Sequence, residues 1–130
     1  MPALSFFHPK PYTSMLSTLG RLLLAIPMAI FGVFHLMNAG NVSAMVPAYL
    51  PGGIVWVYIT GIALLAAALA IILQKWARTA AILLAIMLIS FAIFVHLPSF
   101  LEGNEKAMGS LLKDLGIAGG ALILANTEKD

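Results

Sequence analysis

Cysteine is absent from all 130 residues, which excludes disulfides, thiol catalysis, iron–sulfur ligation and CxxC chemistry. Any redox role then requires a bound cofactor or a partner subunit. Charge is almost as scarce: seven Lys and Arg stand against five Asp and Glu, 9% of the chain. With 62% hydrophobic residues and a mean hydropathy of +1.02, polar side chains are too few to clothe a soluble core, so most of the surface must face lipid. The net charge of +2 is too small and scattered for nucleic acid, and the basic pI reflects missing acids rather than a basic patch. Also missing are HxxxH, Glu-x-x-His and a carboxylate cluster on one helix, so a metal site would rest on two scattered histidines. No nucleophile is paired with a base in any motif, which leaves independent catalysis the least supported activity.

What is present is four long apolar runs, predicting an all-α membrane four-helix bundle with spans at about 15–37, 54–73, 79–97 and 110–126. Residues 1–14, with Pro2, Pro9 and Pro11, form an extended or interfacial tail ahead of the 15–126 bundle. In the first span Arg21, Ala25, Met28, Gly32 and His35 share one stripe. That sets two ionisable groups about 21 Å apart at ~1.5 Å per residue, with Pro27 between them to kink the helix. The run is longer than a signal-peptide apolar region, so a retained span is expected despite the small residues at Val42-Ser43-Ala44.

Asn38 to Gly53, with two prolines, three glycines and no charge, is an uncharged loop, re-entrant or surface-lying, with Tyr49 at the membrane interface. In the second span Thr60, Ala63, Ala67 and Ala70 form a small-residue packing seam. The third presents Ala81, Ala85, Ile89, Ala92 and His96 on one stripe and stops at Leu97-Pro98.

The fourth span, LLKDLGIAGGALILA, organises the rest. Its leucines Leu111, Leu115 and Leu122 suit lipid, while Gly116 and Gly120, with Gly32 of the first span, suit close helix packing. Asp114 heads a second small stripe of Ala118, Ala121 and Ala125. Lys113 and Asp114 point about 100° apart on the helix, which argues against a mutual salt bridge. His35, Asn38, Tyr49, His96, Lys113 and Asp114 all fall on one side of the membrane, as a polar network or ligand site in which His35 or His96 partners Asp114. Arg21 stands alone on the other, facing an anion or lipid phosphate or a helix partner. For the histidines, ordinary hydrogen bonds are favoured over haem or metal ligation.

Taken together, Gly20-Arg21, FGVFH (Phe31 to His35), VPAYLP, WVYITGI (Trp56 to Ile62) and LLKDLGIAGGALILA resemble the DoxX-like family of small four-span membrane proteins, over about Gly20 to Ala125. The resemblance implies a bacterial inner-membrane protein that serves as a subunit or anchor of a quinone-linked oxidoreductase complex beside a membrane protein partner. A shared fold does not fix activity. Three classes therefore stay open: a redox-complex subunit helping to form a quinone pocket, a binder or carrier of a small molecule in an outward-facing polar cavity, and an assembly factor that only packs against other membrane helices.

Lys10, Arg21, Lys75, Arg78 and Lys129 on one side outnumber Lys106 and Lys113 on the other, which predicts cytoplasmic termini. Reporter fusions after Leu50 and Glu105 should then read as external, and fusions after Lys75 and Asp130 as internal. One reversed reporter breaks this topology.

Overall fold

The computed structural model describes residues 11–130 and side chains from Met15 onward. The expected tail therefore lies outside the described residues as far as Lys10, and 11–14 form the first turn of a helix. Helix α1 runs Pro11–Met37, and Pro11 suits its first position, where no backbone donor is needed. A short α2, Ala39–Val42, and one 3₁₀ turn, Ser43–Met45, follow. Then come α3, Ile54–Leu73, and α4, Ala77–Phe91. A π-helical turn, Ala92–His96, continues α4 into α5, Leu97–Leu101, and α6 spans Lys106–Thr127. Among the described residues there is no strand, and four helical stretches are long and apolar enough to cross a membrane: Met15–Met37, Ile54–Leu73, Ala77–Leu101 and Lys106–Thr127.

The third stretch does not stop at Pro98 as its sequence suggests. A proline cannot donate to the carbonyl four residues back, here that of Phe94. The Tyr49 hydroxyl donates to that carbonyl at 2.8 Å, and the wider π turn just before it relieves the crowding, so the helix continues to Leu101.

Small residues decide which helices meet. On α6 the buried positions are Ala107, Asp114, Ala118, Ala121 and Ala125, and they face the buried Ala77, Ala81, Leu84, Ala85 and Leu88 of α4. On α3 the buried stripe is Val57, Gly61, Leu64, Ala68 and Ile71. The expected seam of Thr60, Ala63, Ala67 and Ala70 is only its half-buried flank. Helix α1 packs on α3, α3 on α4 and α4 on α6, whereas α1 and α6 touch only slightly.

The α1–α3 crossing is the tightest. A β-carbon on Gly32 would lie 2.9 Å from the Gly61 carbonyl oxygen, and one on Gly61 would lie 3.1 Å from that of Gly32. The packing role expected of Gly116 and Gly120 is corrected: a β-carbon on either meets nothing within 4 Å. The alanine stripe beginning at Asp114 takes the inward face of α6 and turns both glycines outward.

The end of the bundle where α3 passes into α4 is tied by the C-terminal residues. Helix α3 finishes in a Schellman motif, with Lys75 N–H donating to Ala70 O and Gln74 N–H to Ile71 O. Gln74 takes the left-handed conformation that glycine usually fills there. Helix α4 has no side-chain cap of its own. Asp130 provides one from a distance, accepting from Thr79 N–H at 2.8 Å and from the Thr79 hydroxyl. The hydroxyl bond first, and the backbone bond next, hold the Asp130 carboxyl below the usual carboxylate range. Arg21 does not wait for a lipid phosphate: its guanidinium lies 3.8 Å from Glu128, and both side chains are nearly buried. Glu128 also accepts from Gln74.

Gly32→Val should destabilise the protein in a detergent unfolding measurement by about 1–3 kcal/mol, the usual cost of overpacking. Gly120→Val should change stability by less than about 1 kcal/mol, with a small gain expected because valine is a slightly better helix former than glycine at an exposed position. The reverse ranking would misplace the tight crossing.

Candidate functional site

At the other end of the bundle the helices diverge around a cavity of about 600 Å³. Helix α1 contributes Phe31, Phe34 and His35; α3 contributes Trp56, Val57, Thr60 and Leu64. Leu88, Ser90 and Phe91 come from α4, and Phe94, Val95 and His96 from the π turn. Ser110, Lys113 and Asp114 come from α6, and the loop after α2 covers the top with Met45, Pro47 and Tyr49. The walls are mostly apolar and aromatic, with His35, Tyr49, Thr60 and Ser90 spread among them and His96, Ser110, Lys113 and Asp114 grouped at the α6 side. That combination is the usual form of a small-molecule site.

The polar groups are organised around Asp114, whose side chain is 5% exposed. Its Oδ2 lies 3.1 Å from His96 Nε2 and its Oδ1 lies 3.6 Å from Lys113 Nζ. Of the two histidines expected as its partner, His96 makes the contact. Burial explains why the pair forms: an unpartnered carboxylate among alanines would carry its full desolvation cost. The π turn carries His96, and such turns, by adding a residue to one helical turn, change where the next side chains point.

Lys113 corrects a sequence expectation. Adjacent residues do leave a helix about 100° apart, but that governs the β-carbon and not the end of a four-carbon stem. The ammonium comes back to Asp114 and sits 4.7 Å from the centre of the Phe31 ring. A cation over an aromatic face is attracted to it, so Phe31 helps hold the lysine inward. Lys113 thereby bridges the weakly packed seam between α6 and α1.

The remaining expected residues divide. Tyr49 lines the cavity and anchors the covering loop to Phe94 O. His35 also lines it, but its Nδ1–H donates to Phe31 O of its own helix at 2.7 Å, which leaves only Nε2 for other partners. Asn38 is not among the lining residues; its amide donates to Phe34 O at 3.1 Å and caps the end of α1. Sequence reasoning missed Phe31, Trp56, Thr60 and Ser110. Two of these had a signal, since Phe31 precedes His35 and Ser110 precedes Asp114 by four residues, one helical turn on the same face. The described residues include no group of three or more His, Asp or Glu able to hold a metal ion.

A second, smaller hollow of about 320 Å³ lies between α3 and α4 near Trp76. Its lining is Ala63, Ala66, Ala67, Ala80, Leu83 and their apolar neighbours with Thr79, so it lacks the converging polar groups of the first.

A family model described as a domain of unknown function (DUF8561) matches residues 24–111, most of the chain. The matched stretch takes in His35, Tyr49, Thr60, His96 and Ser110 and ends just before Lys113 and Asp114. No curated protein and no solved structure matches the chain.

The geometry separates two couplings that the sequence leaves merged. In a double-mutant cycle, His96→Gln and Asp114→Asn should be coupled by about 1–3 kcal/mol, as for residues in one buried polar contact. His35→Gln and Asp114→Asn should add to within about 0.5 kcal/mol. Equal coupling for both histidines would contradict this arrangement.

Proposed function

The chain belongs to the family described as domain of unknown function DUF8561, a membership that fixes no activity, and from its cavity we propose a membrane-embedded receptor or carrier for a small lipophilic molecule with a polar head group. The observation that carries this is the roughly 600 Å³ space, walled by Phe31, Phe91, Phe94 and Leu64, with Lys113, Ser110 and the His96–Asp114 pair at one side. Its size falls in the range of about 300–1,000 Å³ that small-molecule sites occupy. Binding is favoured over catalysis because His96 and Lys113 are engaged with Asp114, and the Ser90 hydroxyl donates to Ile86 O of its own helix rather than to a base.

In this proposal the cavity opens toward the non-cytoplasmic leaflet and both termini are cytoplasmic, following the excess of Lys and Arg in the tails and the α3–α4 turn. Pro27 bends α1 between its two ends. The redox-subunit role implied by the DoxX-like motifs would use the same cavity, because a quinone head is a flat ring carrying two acceptor oxygens.

Trp56 lines the cavity and Trp76 lies outside it, so Trp76→Phe leaves one reporter at the site. Its fluorescence should be quenched saturably in detergent by at least one probe from a set comprising an ω-bromo long-chain carboxylate, its methyl ester, an ω-bromo alkyltrimethylammonium and a decyl-substituted benzoquinone. Thr60→Phe, which fills the space, should weaken that quenching roughly tenfold, about 1.4 kcal/mol. Quenching that never saturates with any probe, or that ignores Thr60→Phe, rejects the cavity as a ligand site.

A further inference from the structure

We propose that the cavity is built for a single-tailed anionic amphiphile, a long-chain carboxylate or similar acid, and that Lys113 is the residue that receives its charge. This rests on the cavity being a ligand site and adds the class of ligand and the residue that selects it.

The choice of charge follows from which polar groups a ligand can reach. Asp114 is the one carboxylate among the lining residues. Both its oxygens are covered, by His96 on one side and Lys113 on the other, and its side chain is 5% exposed. A cationic head group would therefore find no free carboxylate to pair with. Lys113 is the opposite case, with its side chain 47% exposed. An ammonium has three donors; one points toward Asp114, and the Phe31 ring takes a face of the cation without consuming a donor. The rest are available to acceptors arriving from the cavity. Ser110 lies three residues earlier on the same face of α6, where its hydroxyl can add a second donor.

The position of the lysine strengthens the case. A lysine near the end of a membrane helix ordinarily extends to the lipid head groups and water. Here the Asp114 carboxylate and the Phe31 ring draw the ammonium to the cavity's edge instead. The same contact closes the seam between α1 and α6, the least packed of the adjoining pairs in the bundle. A carboxylate arriving there would form a charge-assisted bond with the ammonium. Its tail would then run along Phe31, Phe91 and Leu64, walls that offer no other charge. The cavity volume matches a drug-sized ligand, which leaves room for one acyl tail along these walls.

The test uses the full chain carrying Trp76→Phe and the quenching of Trp56. The ω-bromo carboxylate should bind at least roughly tenfold more tightly than its methyl ester or the trimethylammonium probe, a difference of the size a charge-assisted contact produces. Lys113→Gln should bring the ratio of acid to ester affinity to about one, and saturable quenching by the ester, whatever its affinity, reports that the cavity is still folded. Lys113→Arg should keep the preference. Equal affinity for acid and ester in the parent protein, tighter binding of the ammonium probe, or a preference that survives Lys113→Gln overturns the assignment while the cavity itself stands as a site. Brominated phosphatidylglycerol that quenches as strongly as the carboxylate, and loses this with Lys113→Gln, would transfer the site to a phospholipid head group and overturn the single-tailed ligand. If no probe quenches saturably, the cavity is not a ligand site and this assignment falls with it.

Discussion

A carboxylate enclosed in a lipid-facing bundle must have partners, and the Asp114–His96 contact is where this chain meets that demand. Removing an ion from water costs several kcal/mol even after the surroundings relax, and losing one member of a buried pair costs about 3–5 kcal/mol. The 3.1 Å contact therefore fixes the π turn after α4 against the third turn of α6. It can form because Ala81 and Ala85 on α4, and Ala118, Ala121 and Ala125 on α6, are all nearly inaccessible and too small to hold the backbones apart. In lipid, where apolar side chains gain little by meeting each other, such close approach and internal polar contacts are the main sources of helix association. Asp114 and its alanines use both.

The bundle is in effect two tight pairs joined along one side. Gly32 and Gly61 bring α1 onto α3, the alanines bring α6 onto α4, and α3 meets α4. Nothing comparable draws α1 to α6. Space remains where the pairs splay apart, and the loop after α2 covers it. Tyr49 ties that cover to Phe94 O, the carbonyl that Pro98 cannot serve. One hydroxyl thus completes the backbone of the third span and secures the roof of the cavity. The site is consequently a product of helix packing, with its polar residues placed at the border of a space that the packing leaves open.

The four spans were legible in the sequence because twenty or so apolar residues in a row have few other fates. The stripe Ala81, Ala85, Ile89, Ala92 and His96 was legible too, since it follows helical periodicity, and four of its five residues are buried. Asp114 stood out as a carboxylate among alanines, and a histidine on another span is within reach of it in the fold. The glycines of α6 misled. GxxxG identifies a face where close approach is possible, but the nearby Asp114–Ala125 stripe offered an equally close fit with a charge that had to be buried, and the charge decided the rotation. Lys113 misled for a different reason: helical geometry places a β-carbon, whereas its ammonium is placed by Phe31, 82 positions away in sequence. The Glu128–Arg21 contact had no sequence signal, because a polar terminus shows nothing about which helix it will cross.

The two ends of the α1–α6 seam are held in unequal ways. At the C-terminal end of α6, Arg21 meets Glu128 with both side chains largely buried, while Gln74 also contacts Glu128 and Asp130 caps α4. Several contacts share that load, and separating α1 from α6 there would cost the nearly buried Arg21 and Glu128 their ion pair. At the cavity end the bridge is the half-exposed Lys113 over Phe31. Cation–π contacts of this kind contribute about 0.5–2 kcal/mol, comparable to thermal energy up to a few times it. Separation at this end leaves Lys113 with Asp114, and Asp114 with His96, so no buried charge loses every partner. The seam is therefore pinned at one end and lightly closed at the other, and the easier opening leads directly into the space lined by Phe31, Thr60, Ser110 and His96.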